Sequence, residues 1–434
     1  MTEKRFSPIA LKYSMPDFIF RLPLRLTDAQ RLAIDDYDES LVVTGGPGSG
    51  KTTVTIFRFL TPVKNNQNAL LFTYNRTLLA SIKGILRNKA EELFGDLDEH
   101  TINSVIENKV SSFYKWYAQG GQWFDSTLDE NQIEQRFRRT GRIYKEIFFD
   151  EAQDLTPAVF AKAFMLAEKV TCGADNAQDL QSNFPPDEAL STILEKLRNQ
   201  QHTDLQPLEQ NFRNTKEIFE FARGFVPDDE IVQLIDTIDL PNGENPEIFD
   251  NLSTEAQLSK IKEIVEANPA SNIGILVNYG NQVIDIKNYL EKPENGYSCN
   301  QNTPDNKSFS YYYNGMPHAD EQSMFNRMKT PFICTYDSCK GLEFDIVIMP
   351  FFNDAEKALS RPRKKKINDA WIEETNADGS TKMWATRNHY YVGSTRARTL
   401  LYLMCYQKPQ LIINQLELLS TSNQQNAVDD YLPF

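Results

Sequence analysis

The octet GGPGSGKT at residues 45–52 constrains this chain more than any other stretch of it. It satisfies G-x-x-x-x-G-K-[ST]. Its context is also the one the mechanism requires: an apolar run at 41–44 before it, and a segment of helical period from 51 to about 60 after it. Glycines let backbone N–H groups turn inward around phosphate oxygens, and the helix N-terminus adds its dipole. Lys51 then reaches the β- and γ-phosphates, and the Thr52 hydroxyl ligates Mg²⁺. The buried strand feeding this loop belongs in a largely parallel sheet, which points to an α/β architecture.

Further along, IFFDEAQDL (147–155) supplies the other half of such a site. Apolar and aromatic residues of a buried strand deliver Asp150 and Glu151 to its C-terminal end, where ligands of such sheets bind. Asp150 suits the Mg²⁺ shell, and Glu151 suits the base that orients or deprotonates the attacking water. Alone, the two acids also read as helix caps after a strand. With the phosphate loop present they read as part of a nucleoside triphosphate hydrolase.

Composition narrows the classes further. Charged residues are 24% and apolar residues 40% of the 434 residues, as in a globular protein rather than a disordered one. No run of 18 apolar residues occurs, so a membrane span is not expected, and the first residues lack the apolar core of a secretory signal. The five cysteines, at 172, 299, 334, 339 and 405, lack CxxC spacing and point to neither a disulfide scaffold nor a structural zinc site. A reducing cytoplasmic setting is the expectation. The net charge of −14 argues against coating nucleic acid with the whole surface, but not against a local basic groove. One run is basic: Arg361, Arg363, Lys364, Lys365 and Lys366. It reads equally as a solvated loop or as a phosphate-contacting one.

Short apolar runs alternate with longer helical segments along the chain. Strands are predicted at 41–44, 69–74, 143–149 and 170–174. After a polar turn at 200–204 a second series follows, at 205–209, 273–277, 332–335, 345–349 and 399–405. The division expected is a first unit over 1–203, a second over 204–420 and a tail over 421–434. A small helical insertion at about 85–140 carries Phe113, Tyr114, Trp116, Tyr117, Trp123 and Phe124. These aromatics read as a small core, or else as a stacking platform for bases.

The motif series resembles a superfamily-one DNA helicase of the UvrD/PcrA/Rep kind, in a compact form. It runs LTDAQ (26–30), GGPGSGKT (45–52), LFTYNRTLL (71–79), FFDEAQDL (148–155), GADNAQDL (173–180), LEQNFRNT (208–215), TYDSCKGLEFDIVIMP (335–350) and YYVGSTRARTLLYL (390–403). The resemblance implies two RecA-like P-loop domains with parallel sheets and ATP in the cleft between them. Around the nucleotide it places Gln30, the loop residues Gly45, Gly46, Pro47, Gly48, Ser49, Gly50, Lys51, Thr52 and Thr53, then Phe212, Arg213, Gly341, Glu343 and Arg396. Gln30 would read adenine, although closing a capping box with Thr27 would also explain it. Phe212 would stack on adenine, with core packing as the alternative. Lys51, Glu151, Gln178, Arg213 and Arg396 form the implied hydrolytic set. In it Gln178 senses the γ-phosphate, the two arginines contact it from the second domain, and Thr52 and Asp150 hold the metal. Thr73, Asn75, Arg76 and Lys340 are the implied DNA contacts.

The function implied is an ATP-dependent translocase or helicase moving 3′ to 5′ on single-stranded DNA or from a single-/double-strand junction. The alternative is an ATP-switched, DNA-sensing subunit of a nuclease complex in phage defence or repair, with little unwinding of its own. Three positions depart from the family pattern: Thr53, Asn278 and Asp337. A carboxylate at 337 would repel phosphate unless it is bonded internally. The large accessory insertions are absent or vestigial, which ties unwinding to a partner.

Overall fold

The computed structural model describes residues 25–36, 38–119, 129–299, 307–317, 328, 330–367 and 370–413. The predicted tail at 421–434, and Trp123 and Phe124, lie outside the described residues. Two α/β halves are present, each built on an all-parallel sheet. Among the described residues the first sheet has six strands: β1 (Ser40–Thr44), β2 (Ala69–Thr73), β3 (Val110–Ser112), β4 (Tyr144–Asp150), β5 (Ala167–Ala174) and β6 (Thr203–Pro207). Their spatial order is β3-β2-β4-β5-β1-β6. The second sheet contains β7 (Glu247–Phe249), β8 (Ile273–Val277), β9 (Ser298–Cys299), β10 (Ser308–Tyr312), β11 (Phe332–Thr335), β12 (Phe344–Met349) and β15 (Ala397–Met404). Its order is β7-β15-β12-β8-β11-β10-β9. A separate antiparallel ribbon pairs β13 (Lys364–Ile367) with β14 (Ala370–Glu373).

The expected strands form because their side chains are apolar on both faces. All five residues of β1, β2 and β8 are buried, as parallel strands covered by helices must be. The helix Lys51–Lys64 lies across the first sheet, and Phe59 meets Phe148 edge to face at 5.8 Å. Such a pair adds about 0.5–1.5 kcal/mol beyond the area it buries.

Two expectations differ from the outcome. The strand predicted at 205–209, read as opening the second series, instead closes the first sheet. Thr203–Pro207 pairs along β1, Leu41 facing Asp204 and Val43 facing Gln206. The chain therefore leaves the first half after Pro207 rather than at 203. The segment predicted as a helical insertion also contributes a strand, β3, to the edge of the sheet beside β2. Its aromatics pack inward: Phe113, Trp116 and Tyr117 are buried, and Phe72 lies 5.6 Å from Phe113 and 5.2 Å from Trp116. They form core, not a stacking surface.

Among the described residues the backbone crosses between the halves once, at 208–214. That connector is tied to both. Leu208 N–H donates to Thr44 O (2.8 Å) and Phe212 N–H to Gly48 O (3.0 Å). On the far side Asn214 Nδ2 donates to the carbonyls of Thr395 (3.1 Å) and Ala397.

Candidate functional site

The phosphate loop follows β1 as the sequence predicts. Gly48 and Gly50 sit at φ +76° and +93°, a region open to glycine. Neither could carry a side chain: a Cβ on Gly50 would lie 2.3 Å from Gln30 Nε2, and one on Gly48 2.5 Å from Asn211 Oδ1. Gln30 closes a capping box with Thr27 (3.1 and 3.2 Å) and also touches the phosphate loop, its Nε2 donating to Ser49 O at 2.9 Å. Lys51 folds back over the loop, donating to the carbonyls of Gly45 and Gly46, and lies 3.5 Å from Asp175 Oδ2.

Strand β4 ends on the acid pair. Asp150 is buried and accepts a hydrogen bond from Thr52, and its Oδ2 has no hydrogen-bond partner. Burial, and then the charge of Glu151, raise its pKa. Glu151 stands at φ +55°, a strained left-handed turn for a non-glycine residue, which aims it away from the strand axis. Its burial opposes ionisation, but Lys340, Lys51 and Arg396 outweigh that and hold its pKa below the usual carboxylate value. The unpartnered buried oxygen of Asp150 beside the Thr52 hydroxyl suits a hard cation that takes few protein ligands and keeps its other positions for water and phosphate. Among the described residues no group of three or more His, Cys, Asp or Glu could hold a metal by itself.

The second half brings cations to the same place. Phe344 on β12 stands opposite Ala397 on β15, so Glu343 and the arginines flanking Ala397 meet at one sheet edge. Arg396 is 1% exposed and among the largest fully buried side chains of the described residues. Its Nε donates to Val392 O (2.9 Å) and its Nη2 to Gln178 Oε1 (3.0 Å). Burial, then the nearby Arg213, lower its pKa to about 10. Gln178 Nε2 in turn donates to Asp175 Oδ2 (2.6 Å), the oxygen that faces Lys51. A continuous polar chain Lys51, Asp175, Gln178, Arg396 thus joins the phosphate loop to the second half.

Between the halves lies a cavity of about 340 Å³, which Phe212, Gly341 and Glu343 line together with Gln30, Lys51, Thr52, Thr53, Glu151, Gln178, Arg213 and Arg396. Phe212 is half exposed and faces the cavity, so it is not core. Sequence reasoning missed two further lining residues, Arg25 and Arg398. Arg398 had a signal, since it stands two residues after Arg396 in STRAR. Asp175 was also missed as the partner of Lys51, although it opens the DNAQ segment that carries Gln178.

The implied DNA contacts fare differently. Arg76 is exposed. Thr73 is buried, and its hydroxyl lacks a hydrogen-bond partner. Asn75 caps the helix Arg76–Asn88 by accepting from Thr77 N–H (3.0 Å), and its Nδ2 donates across the seam to Asp337 O at 3.0 Å. Lys340 requires a correction. It is 1% exposed and turned inward, with Nζ 2.8 and 2.9 Å from the Asp154 oxygens and 3.4 Å from Glu151 Oε2. Four nearby acceptors, the Gln178 carbonyl among them, outcompete solvent for its three protons. In this arrangement it presents no charge to a nucleic-acid surface. Lys340→Met should remove the cation that bridges these two acids and lower stability by about 3–5 kcal/mol, the cost of leaving buried charge unpaired. Urea unfolding checks this, and a loss under about 1 kcal/mol would show the contact to be incidental.

Asp337, the carboxylate at an unusual position, faces inward against His389 at ion-pair distance. His389 Nδ1 accepts the Thr386 N–H at 2.9 Å, and its Nε2 lies 3.4 Å from Asp337 Oδ1. Burial raises the Asp337 pKa, but His389 outweighs this and holds it at about 2. A folded pKa below the unfolded one contributes stability that is present above about pH 4 and lost as pH falls towards 2. The amount is about 2 kcal/mol. Asp337→Asn should therefore lower the melting temperature at pH 7 and flatten the acid limb of the stability curve. Parallel acid titrations of the variant and the native chain would refute the pairing.

The basic run forms the exposed ribbon β13–β14. Arg363 pairs with Glu374 (3.2 Å) and Lys364 with Glu373 (3.4 Å), while Trp371 is 68% exposed. Arg361 packs over the rings of Tyr279 and Trp384.

Two parallel α/β domains of RecA-like form, with a phosphate loop on one and arginines from the other meeting in a shared cleft, define a two-domain P-loop protein of the helicase class. The chain belongs to the family described as Schlafen group 3, DNA/RNA helicase domain, whose model matches residues 38–407. The sequence matches no curated protein. Among solved structures it is similar to S. cerevisiae Dbp5 bound to RNA and ADP BeF3, at 12% identity and TM-score 0.48 over 91% of this chain and 86% of that one. It is also similar to arterivirus nonstructural protein 10 (helicase), at 14% identity and TM-score 0.38 over 89% of this chain and 63% of that one. The complex of that helicase with DNA gives 15% identity and TM-score 0.39, over 89% and 65%. The chain thus spans just under two thirds of the arterivirus protein. No helix among the described residues is long and apolar enough to cross a membrane.

Proposed function

We propose that this chain is an ATP-driven motor on single-stranded nucleic acid, of the compact superfamily-one type, moving 3′ to 5′ on DNA. The observation that carries the reading is the polar chain from Lys51 through Asp175 and Gln178 to Arg396, which makes the terminal-phosphate site and the domain seam one unit. ATP would lie in the cleft, with its triphosphate on residues 45–52 and its base between Gln30 and Phe212. Asp150 and Thr52 would hold the Mg²⁺ that accompanies it, and the ion would offset charge on the phosphate oxygens. Glu151 orients the attacking water, and Arg213 and Arg396 stabilise the charge that develops. Contacts differing between the ATP-bound and empty cleft then shift the domains. Arg76 would contribute to the strand surface.

The test is ATP hydrolysis with and without single-stranded DNA or RNA, followed by movement along a labelled strand. Hydrolysis stimulated by DNA, together with 3′ to 5′ movement, supports the motor. Stimulation without movement favours the ATP-switched subunit that would act through a partner such as a nuclease. A greater response to RNA would reassign the strand.

A further inference from the structure

The cleft contains a carboxylate held by two guanidinium groups. Glu343 Oε2 accepts from Arg213 Nε at 3.1 Å, and Glu343 Oε1 accepts from Arg398 Nη1 at 2.9 Å. The Glu343 and Arg213 side chains are 8% and 9% exposed, and Arg398 is 27% exposed at the cleft edge. All three line the cavity with Lys51 and Glu151. Arg213 packs against Gly48 of the phosphate loop, and its Nε is occupied by this carboxylate.

Moving Arg213 onto a phosphate breaks a pair whose two side chains are each less than a tenth exposed. A buried carboxylate left without its cation is strongly unfavourable. Arg398 changes that balance, because Glu343 keeps one guanidinium after Arg213 departs. We propose that Arg398 is a positioning residue. It retains Glu343 while Arg213 transfers to the terminal phosphate of a bound nucleoside triphosphate, so that engagement of Arg213 exchanges one anion for another. The inference rests on the nucleotide-hydrolysis reading above. It predicts that Arg398 acts on turnover through Glu343, not through a contact of its own with nucleotide.

The experiment is steady-state ATP hydrolysis by the full chain at saturating single-stranded nucleic acid, comparing R398A, R398K, E343Q and R398A/E343Q. In R398A, Glu343 has lost one of its guanidinium partners and holds Arg213 more tightly, so kcat should fall about ten-fold with KM little changed, the pattern of a contact made only in the transition state. R398K restores a cation and should recover most of the rate. Once the carboxylate charge is removed by E343Q, adding R398A should change kcat by less than about two-fold, because neighbours acting on one group are not additive. Three results overturn the inference: R398A at the native rate, R398A raising KM with kcat intact, or R398A costing as much with E343Q as without it. Failure of the native chain to hydrolyse ATP under any strand condition overturns the underlying reading and this inference with it. Native hydrolysis with an indifferent R398A overturns this inference alone.

Discussion

Arg396→Ala should slow strand-stimulated ATP hydrolysis by about 10³–10⁵, the range an arginine aimed at a transferring phosphoryl group commonly contributes. The side chain is fully buried and ends on Gln178 Oε1, so it is already aligned with the residue that faces the Lys51 and Asp175 pair. Alanine would also strip a donor from the Val392 carbonyl and open a cavity, so folding has to be checked alongside rate. Arg396→Lys separates the two effects. It keeps a charge and most of the volume but loses the planar fork, so it should fold and still lose most of the rate. Single-turnover kinetics with circular dichroism on the same samples measure both. A well-folded lysine variant within ten-fold of the native rate would remove Arg396 from the chemistry.

Glu151→Gln is expected to lower turnover by about 10²–10⁴, the contribution typical of a positioned general base. Nucleotide affinity should stay within a few-fold, because the loop at 45–52 is untouched. The cations around Glu151 keep it ionised, which a base requires, and its left-handed turn aims it at the cavity. The amide keeps the shape and the Gln153 contact site while removing the charge. Titration of a fluorescent ATP analogue beside hydrolysis assays separates binding from chemistry. Loss of binding equal to the loss of rate would make Glu151 a structural acid.

The parts of the site that could be read from sequence are those set by local chain geometry. A Gly-rich octet after a buried strand fixes where Lys51 and Thr52 sit, because loop and helix follow directly from the strand. The same holds for Asp150 and Glu151 at the end of β4. Phe212 and Arg213 are placed by the connector, which is tied within a few residues to Gly48. What could not be read depends on pairings between distant segments. Asp154 and Lys340 are 186 residues apart, and only folding shows that the lysine enters an acid pocket rather than facing a strand. Arg398 stands two residues from Arg396 in the chain, but its meaning comes from Glu343, which immediately precedes the neighbouring strand β12. The last strand of the first sheet looked like the start of the second because a polar turn precedes it. Hydrophobic pattern shows that a strand is buried, not which sheet buries it.

The crossing at 208–214, the single one among the described residues, has a mechanical consequence. The segment that joins the two halves also forms a wall of the cavity, pinned to Thr44 and Gly48 on one side and to Thr395 and Ala397 on the other. A guest molecule leaning on Phe212 and Arg213 therefore presses on the axle itself rather than on a distant lever arm. On the motor reading, torque would arise where the chemistry occurs, with no gearing between them. Loosening the axle, for example by removing the Asn214 side chain, would let the cavity fill without turning the halves.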